Sequence, residues 1–123
     1  MDILHKALED AWEHNRNSFP DGGTTDYALR LRNIETFLFD HVHDKVALLS
    51  TLHKSGVLTD HGPNHIRTVL RRAGELTVAI DARFTGYEIY LLILAVHFHD
   101  VGNMLGRIRH EAKIAEIFQL LGA

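Results

Sequence analysis

The chain has 123 residues, enough for one domain, and 46% of them are apolar, which excludes intrinsic disorder. A formal net charge of -3, from 13 basic and 16 acidic residues, excludes a general nucleic-acid binder, though it leaves room for a small basic pocket holding a nucleotide or phosphate. The absence of cysteine excludes disulfides, thiolate zinc sites and a Cys nucleophile. The start, Met1-Asp2-Ile3-Leu4-His5-Lys6, lacks a signal-peptide pattern, and no apolar run is long enough to cross a bilayer. A cytoplasmic protein with no membrane partner is expected.

Met1 to about Ser18 predicts an amphipathic helix, because Ile3, Leu4, Ala7, Leu8, Ala11 and Trp12 recur at helical spacing. Pro20-Asp21-Gly22-Gly23 breaks it, and Thr24, Thr25 or Asp26 can cap the next helix. That second helix is expected from about Asp26 to about His53, with an apolar stripe running from Leu29 through Val42 to Leu52, and with Lys54 and Gly56 as its C-terminal signature. Leu58 to Asn64 is turn-rich. Pro63 suits the first turn of a third helix carrying His65, Ile66, Val69, Leu70 and Ala73. The β-branched patch Thr77-Val78-Ala79-Ile80 has no partner strand in the sequence and reads as helix end plus loop. A buried helix follows from about Tyr87 to His99, ended by Val101-Gly102-Asn103, and Arg109 to Leu121 shows a last apolar face. The sum is an all-α, single domain over 1–123 of about five helices. N-terminal helices fill 1–56, and residues 57–123 bear the candidate site.

Ten histidines are many for this length, and His61, His65, His97, His99 and His110 fall in one half of the chain. Without Cys, metal sites are built from His and carboxylates. His97-Phe98-His99-Asp100 closes the apolar run Ile89 to Val96. A carboxylate there is costly unless it is paired or bound to a metal. Neighbouring side chains in a regular helix point about 100° apart. Both His99 and Asp100 can therefore reach one ion only where the helix is ending, as Gly102 permits. The third ligand must come from another helix, and His65, one turn in from Gly62-Pro63, is the candidate. Two imidazoles and a carboxylate suit manganese, iron, nickel, zinc or magnesium. Such a site lowers the pKa of a bound water and polarises a phosphoryl oxygen. Arg67, Arg71, Arg107 and Arg109 are near enough in sequence to hold phosphate oxygens, Arg107 above the others because it follows the pair within one short loop.

Thr59-Asp60-His61-Gly62-Pro63-Asn64-His65-Ile66-Arg67-Thr68-Val69, followed by His99-Asp100-Val101-Gly102-Asn103, resembles the HD superfamily of metal-dependent phosphohydrolases. The match spans roughly residues 59 to 111, and the Thr-Asp-His-Gly-Pro version is also similar to HD domains linked to chaperone-like ATPases. The resemblance implies an all-α HD-like bundle, a divalent metal held by His65, His99 and Asp100, and hydrolysis of a nucleotide or other phosphoester. Arg107 and His110 would steady phosphate oxygens, with His61 and Arg107 touching substrate. The family pattern includes a further Asp well past the central pair, and none follows Asp100 here. That departure leaves three readings open: a larger parent polypeptide of which this chain is a fragment, substitution by His110 or Glu111, or an incomplete site. The alternative function is accordingly a catalytically degenerate HD-fold module for partner binding or ligand sensing, with its N-terminal helices as a docking or homo-oligomer surface.

Other features read as structural. The second His-Asp pair, His43-Asp44 in His41-Val42-His43-Asp44, lies inside the expected long helix and reads as a solvated face. His97 is two residues before His99, points nearly opposite on a helix, and reads as structural. His5, His14 and His53 are expected on the surface. Arg71-Arg72 reads as a solvated face, and Trp12, Phe37 and Phe39 as core.

Overall fold

The computed structural model describes residues 2–45, 62–99 and 101. Among them all regular structure is helical, as the apolar periodicity predicts, and no helix is long and apolar enough to cross a membrane. Helix α1 spans Ile3–His14, α2 spans Tyr27–His41, α3 spans Pro63–Ala79, and α4 covers residues 86–99.

Each start has a local cause. The Asp2 carboxylate accepts the His5 amide at 2.9 Å and caps α1. Asp26 accepts the Leu29 amide at 3.0 Å and caps α2. Pro63 opens α3 without a side-chain cap. A reciprocal capping box starts α4: Thr85 Oγ1 accepts the Glu88 amide, and the Glu88 carboxylate accepts the Thr85 amide at 2.8 Å.

α1 is shorter than expected, ending at His14 rather than near Ser18. Two short 3₁₀ turns, Arg16–Ser18 and Pro20–Gly23, follow it, with Asp21, Gly22 and Gly23 all at positive φ. The turns place Phe19 inward, where it is buried. Phe19 meets Trp12 edge-on with ring centroids 5.3 Å apart and stacks on Tyr27 at 5.4 Å. Tyr27 in turn meets Tyr87 and Tyr90 edge-on. One aromatic series thus ties α1, the linker, α2 and α4 together. Each such pair contributes about 0.5–1.5 kcal/mol beyond simple burial. Gly86 makes room for it, since a Cβ there would sit 2.5 Å from Phe19 Cζ and 2.8 Å from Ala11 Cβ.

The main core combines Leu4 and Leu8 of α1, Leu31 of α2, Ile66 and Leu70 of α3, and Ile89, Tyr90, Ile93 and Val96 of α4. α1 crosses α3 closely at Gly74, where a Cβ would lie 2.8 Å from Ile3 Cβ. A smaller cluster of Leu38, Val42 and Val101, flanked by Ile34, Phe37 and Phe98, sits at the end of α4.

The expected second helix is also cut short. α2 ends at His41, Val42 makes a turn, and residues 43–45 are helical again. The break lets Val42 and His43 both turn inward, so His43 is fully buried rather than on a solvated face. Thr77 to Ala79 are the last turn of α3, in keeping with helix end plus loop. The part of the expected second helix beyond residue 45 and the last expected helix lie outside the described residues.

Candidate functional site

His65 and His99 come from separate helices and meet. His65 is set by Pro63 in the first turn of α3 and is half-buried. His99 ends the described run of α4 and is exposed. Their ring centroids lie 6.0 Å apart with planes tilted 46°. A ligating ring nitrogen sits about 2.1 Å from an ion, so two imidazoles on one tetrahedral ion have centroids roughly 5 Å apart, and a linear pair about 6.5 Å. The observed separation lies between those two values.

The His99 Nδ1–H donates to the Val96 carbonyl. In the neutral ring this makes Nε2 the lone-pair nitrogen and fixes the ring plane. Backbone carbonyls commonly orient metal-ligating histidines in this way. The pair has the donor chemistry of a divalent-ion site and lies within about 1 Å of the tetrahedral spacing. Among the described residues no group of three or more His, Asp or Glu is arranged to hold a metal. The expected carboxyl ligand, Asp100, lies outside those residues, as do His61, Arg107 and His110.

The expectation that His97 points away from His99 holds, and its surroundings are unusual. His97 is fully buried, and its Nε2–H donates to Glu35 Oε2 at 2.6 Å. Its Nδ1 shares a proton with His43 Nε2 at 2.9 Å, and the two rings stack with centroids 5.2 Å apart. Glu35, on α2, also accepts from His5 Nε2 at 2.7 and 2.8 Å. His5 Nδ1 contacts both Asp2 oxygens, at 2.8 and 2.9 Å. His5 is thus a linker between α1 and α2 and not the surface residue expected; His14 does lie on the surface.

Because carboxylates only accept, His5 must donate from both ring nitrogens and is an imidazolium here. Burial alone would push its pKa down, but the hydrogen bonds and charges of Asp2 and Glu35 outweigh burial and raise it to about 9. Burial alone would likewise raise Asp2 and Glu35. The bonds from His5, and for Glu35 also from His97, bring both below the ordinary carboxylate value.

The basic residues divide. Arg67 places its guanidinium 4.4 Å over the Phe39 ring, whose edge meets His43 and His97. It therefore packs toward the buried histidines. Arg71 pairs with Glu75 at 3.7 Å on an exposed face, as the solvated reading of that stretch expects.

Sequence reasoning did not single out Glu35, and it misplaced His5 and His43. Their partners are 30 to 62 residues away along the chain, so no local pattern marks them.

Comparison with curated proteins and with solved structures finds no match. The profile of the HD-CE family matches residues 51–121. The matched stretch contains His61, His65, His99, Asp100, Arg107 and His110, whereas Asp2, His5, Glu35 and His43 precede it. With more than half its length so matched, and with an all-α fold, the chain belongs to the HD-CE family and carries an HD-type domain.

Proposed function

We propose that this domain is a metal-dependent phosphohydrolase acting on a nucleotide or other phosphoester. The observation that carries the reading is the His65–His99 pair: two imidazoles from different helices with ring centroids 6.0 Å apart, one of them oriented by a backbone carbonyl. Asp100, adjacent to His99 in sequence, supplies the carboxylate of the set. A divalent ion bound there supplies Lewis acidity and an activated water. His65 and His99 hold position through their helices. Arg107 with His110 steadies the leaving or non-bridging phosphate oxygens, and His61 contacts substrate.

The test is elemental analysis of the purified chain, followed by a panel of manganese, iron, nickel, zinc and magnesium with a generic phosphodiester. Stoichiometric metal with turnover is expected, and Asp100→Ala and His65→Ala each lose both. Full activity in Asp100→Ala refutes the assignment. The alternative reading is a catalytically inert HD-fold module. A folded protein that takes up no metal and turns over nothing supports that module.

A further inference from the structure

We propose that Glu35 is a positioning residue for the His65–His99 pair, acting through His97; this rests on the metal-site reading above. Apolar side chains hold α4 against the core, but such packing is non-directional. His97 adds direction. It is fully buried, and both of its ring nitrogens are engaged, one by Glu35 at 2.6 Å and the other by His43 at 2.9 Å. Breaking either bond leaves a buried polar atom unsatisfied, which makes the rotation of α4 about its axis costly to change.

His97 and His99 are two residues apart, hence about 200° around the helix and about 3 Å along it. Any turn or slide of α4 that releases His97 from Glu35 therefore moves His99 relative to His65 on the opposite side. Glu35 can serve as the fixed point because it is itself held. His5 donates to both its oxygens, and Asp2 grips the far side of His5. A charged acceptor also makes the His97 bond about twice as strong as a neutral one. Glu35 belongs to α2, outside the stretch matched by the family profile, so the N-terminal helices set the geometry of a site to which they lend no ligand.

The experiment uses the full chain with Glu35→Gln and reads two signals. The first is the long-range ¹H–¹⁵N spectrum of the imidazoles, recorded without metal. The second is the dissociation constant for Mn²⁺ by calorimetry. Glutamine keeps the shape but offers one acceptor oxygen and an amide that opposes the second imidazole. The His99 ring resonances are expected to shift, and Mn²⁺ binding to weaken about tenfold or more, the usual effect of losing an outer-shell partner. Phe19→Leu, a destabilising change beside Gly86 at the opposite end of α4 from His97, is expected to leave both unchanged. Should the glutamine variant not fold, Glu35→Asp, which retracts the carboxylate by one methylene, is read in the same way. Shifted His5 and His97 resonances with unaltered His99 resonances overturn the proposal. If the wild-type chain takes up no Mn²⁺, the metal-site reading fails, while the His99 spectrum still decides whether Glu35 positions that ring.

Discussion

Replacing His5 with glutamine removes the imidazolium that joins Asp2 to Glu35, and the loss must depend on pH in a particular direction. The His5 pKa is about 9 in the folded chain against an ordinary value of 6.5. A group that binds its proton more tightly when folded contributes its full stabilisation below the unfolded value. That contribution is lost as pH rises through the folded value. The interval from 6.5 to about 9 corresponds to roughly 3 kcal/mol at 1.36 kcal/mol per pH unit. With its side chain 21% exposed, His5 is shielded enough for most of this to survive solvent screening. Asp2 and Glu35 run the other way: both are lowered, so their stabilisation is present above the ordinary carboxylate value and is lost on acidification. These are two views of one set of bonds and do not add. Urea unfolding of the wild-type chain should therefore show a plateau from about pH 5 to 6.5 and a decline toward pH 9.5. The stability gap between wild type and His5→Gln should shrink by up to about 3 kcal/mol across that decline. Parallel profiles for the two proteins would falsify the assignment of His5 as the bridging cation.

Two further outcomes follow from packing. Gly86→Ala forces a methyl against the Phe19 ring and Ala11, and is expected to cost about 1–3 kcal/mol in urea unfolding; an unchanged midpoint would mean that α4 does not start against Phe19. Ile93→Ala empties a fully buried position at the centre of α4 and is expected to cost about 2–5 kcal/mol, with the urea slope unchanged.

What the sequence disclosed depended on whether the cause was local. α3 and α4 were legible because Pro63 marks one start and an unbroken apolar stripe from Ile89 to Val96 marks the other. The Thr85-Gly86-Tyr87-Glu88 capping box was also there to be read, and it sets the start of α4. His65 and His99 stood out because short motifs carry them. The end of α2 at His41 was not legible: Leu48, Leu49 and Leu52 continue the helical spacing, and no Gly or Pro interrupts it. What stops the helix is tertiary, since His43 must reach His97, 54 residues on. The early end of α1 has a similar origin, because Phe19 must leave the helix path to reach Trp12, Tyr27 and Gly86.

The two His-x-His-Asp strings show why identity alone does not assign a role. His41-Val42-His43-Asp44 and His97-Phe98-His99-Asp100 differ only at the second position. Yet they are used in opposite registers, and they meet. In the first string the third residue, His43, is buried and the first, His41, is exposed; in the second string the first residue, His97, is buried and the third, His99, is exposed. The two buried members stack on each other and share a hydrogen bond. Positions two apart on a helix face opposite ways, so burying His97 is what turns His99 outward toward His65. The first string thus serves the second as its buried partner, and Glu35 anchors His97 through its other ring nitrogen. Replacing His43 with leucine, which fills the space but offers no ring nitrogen, strands His97 Nδ1. That change should disturb the His99 ring in the same sense as loss of Glu35, though with one of the two anchoring bonds still in place. A His99 spectrum identical to wild type in His43→Leu would show that the pairing of the two strings is packing alone.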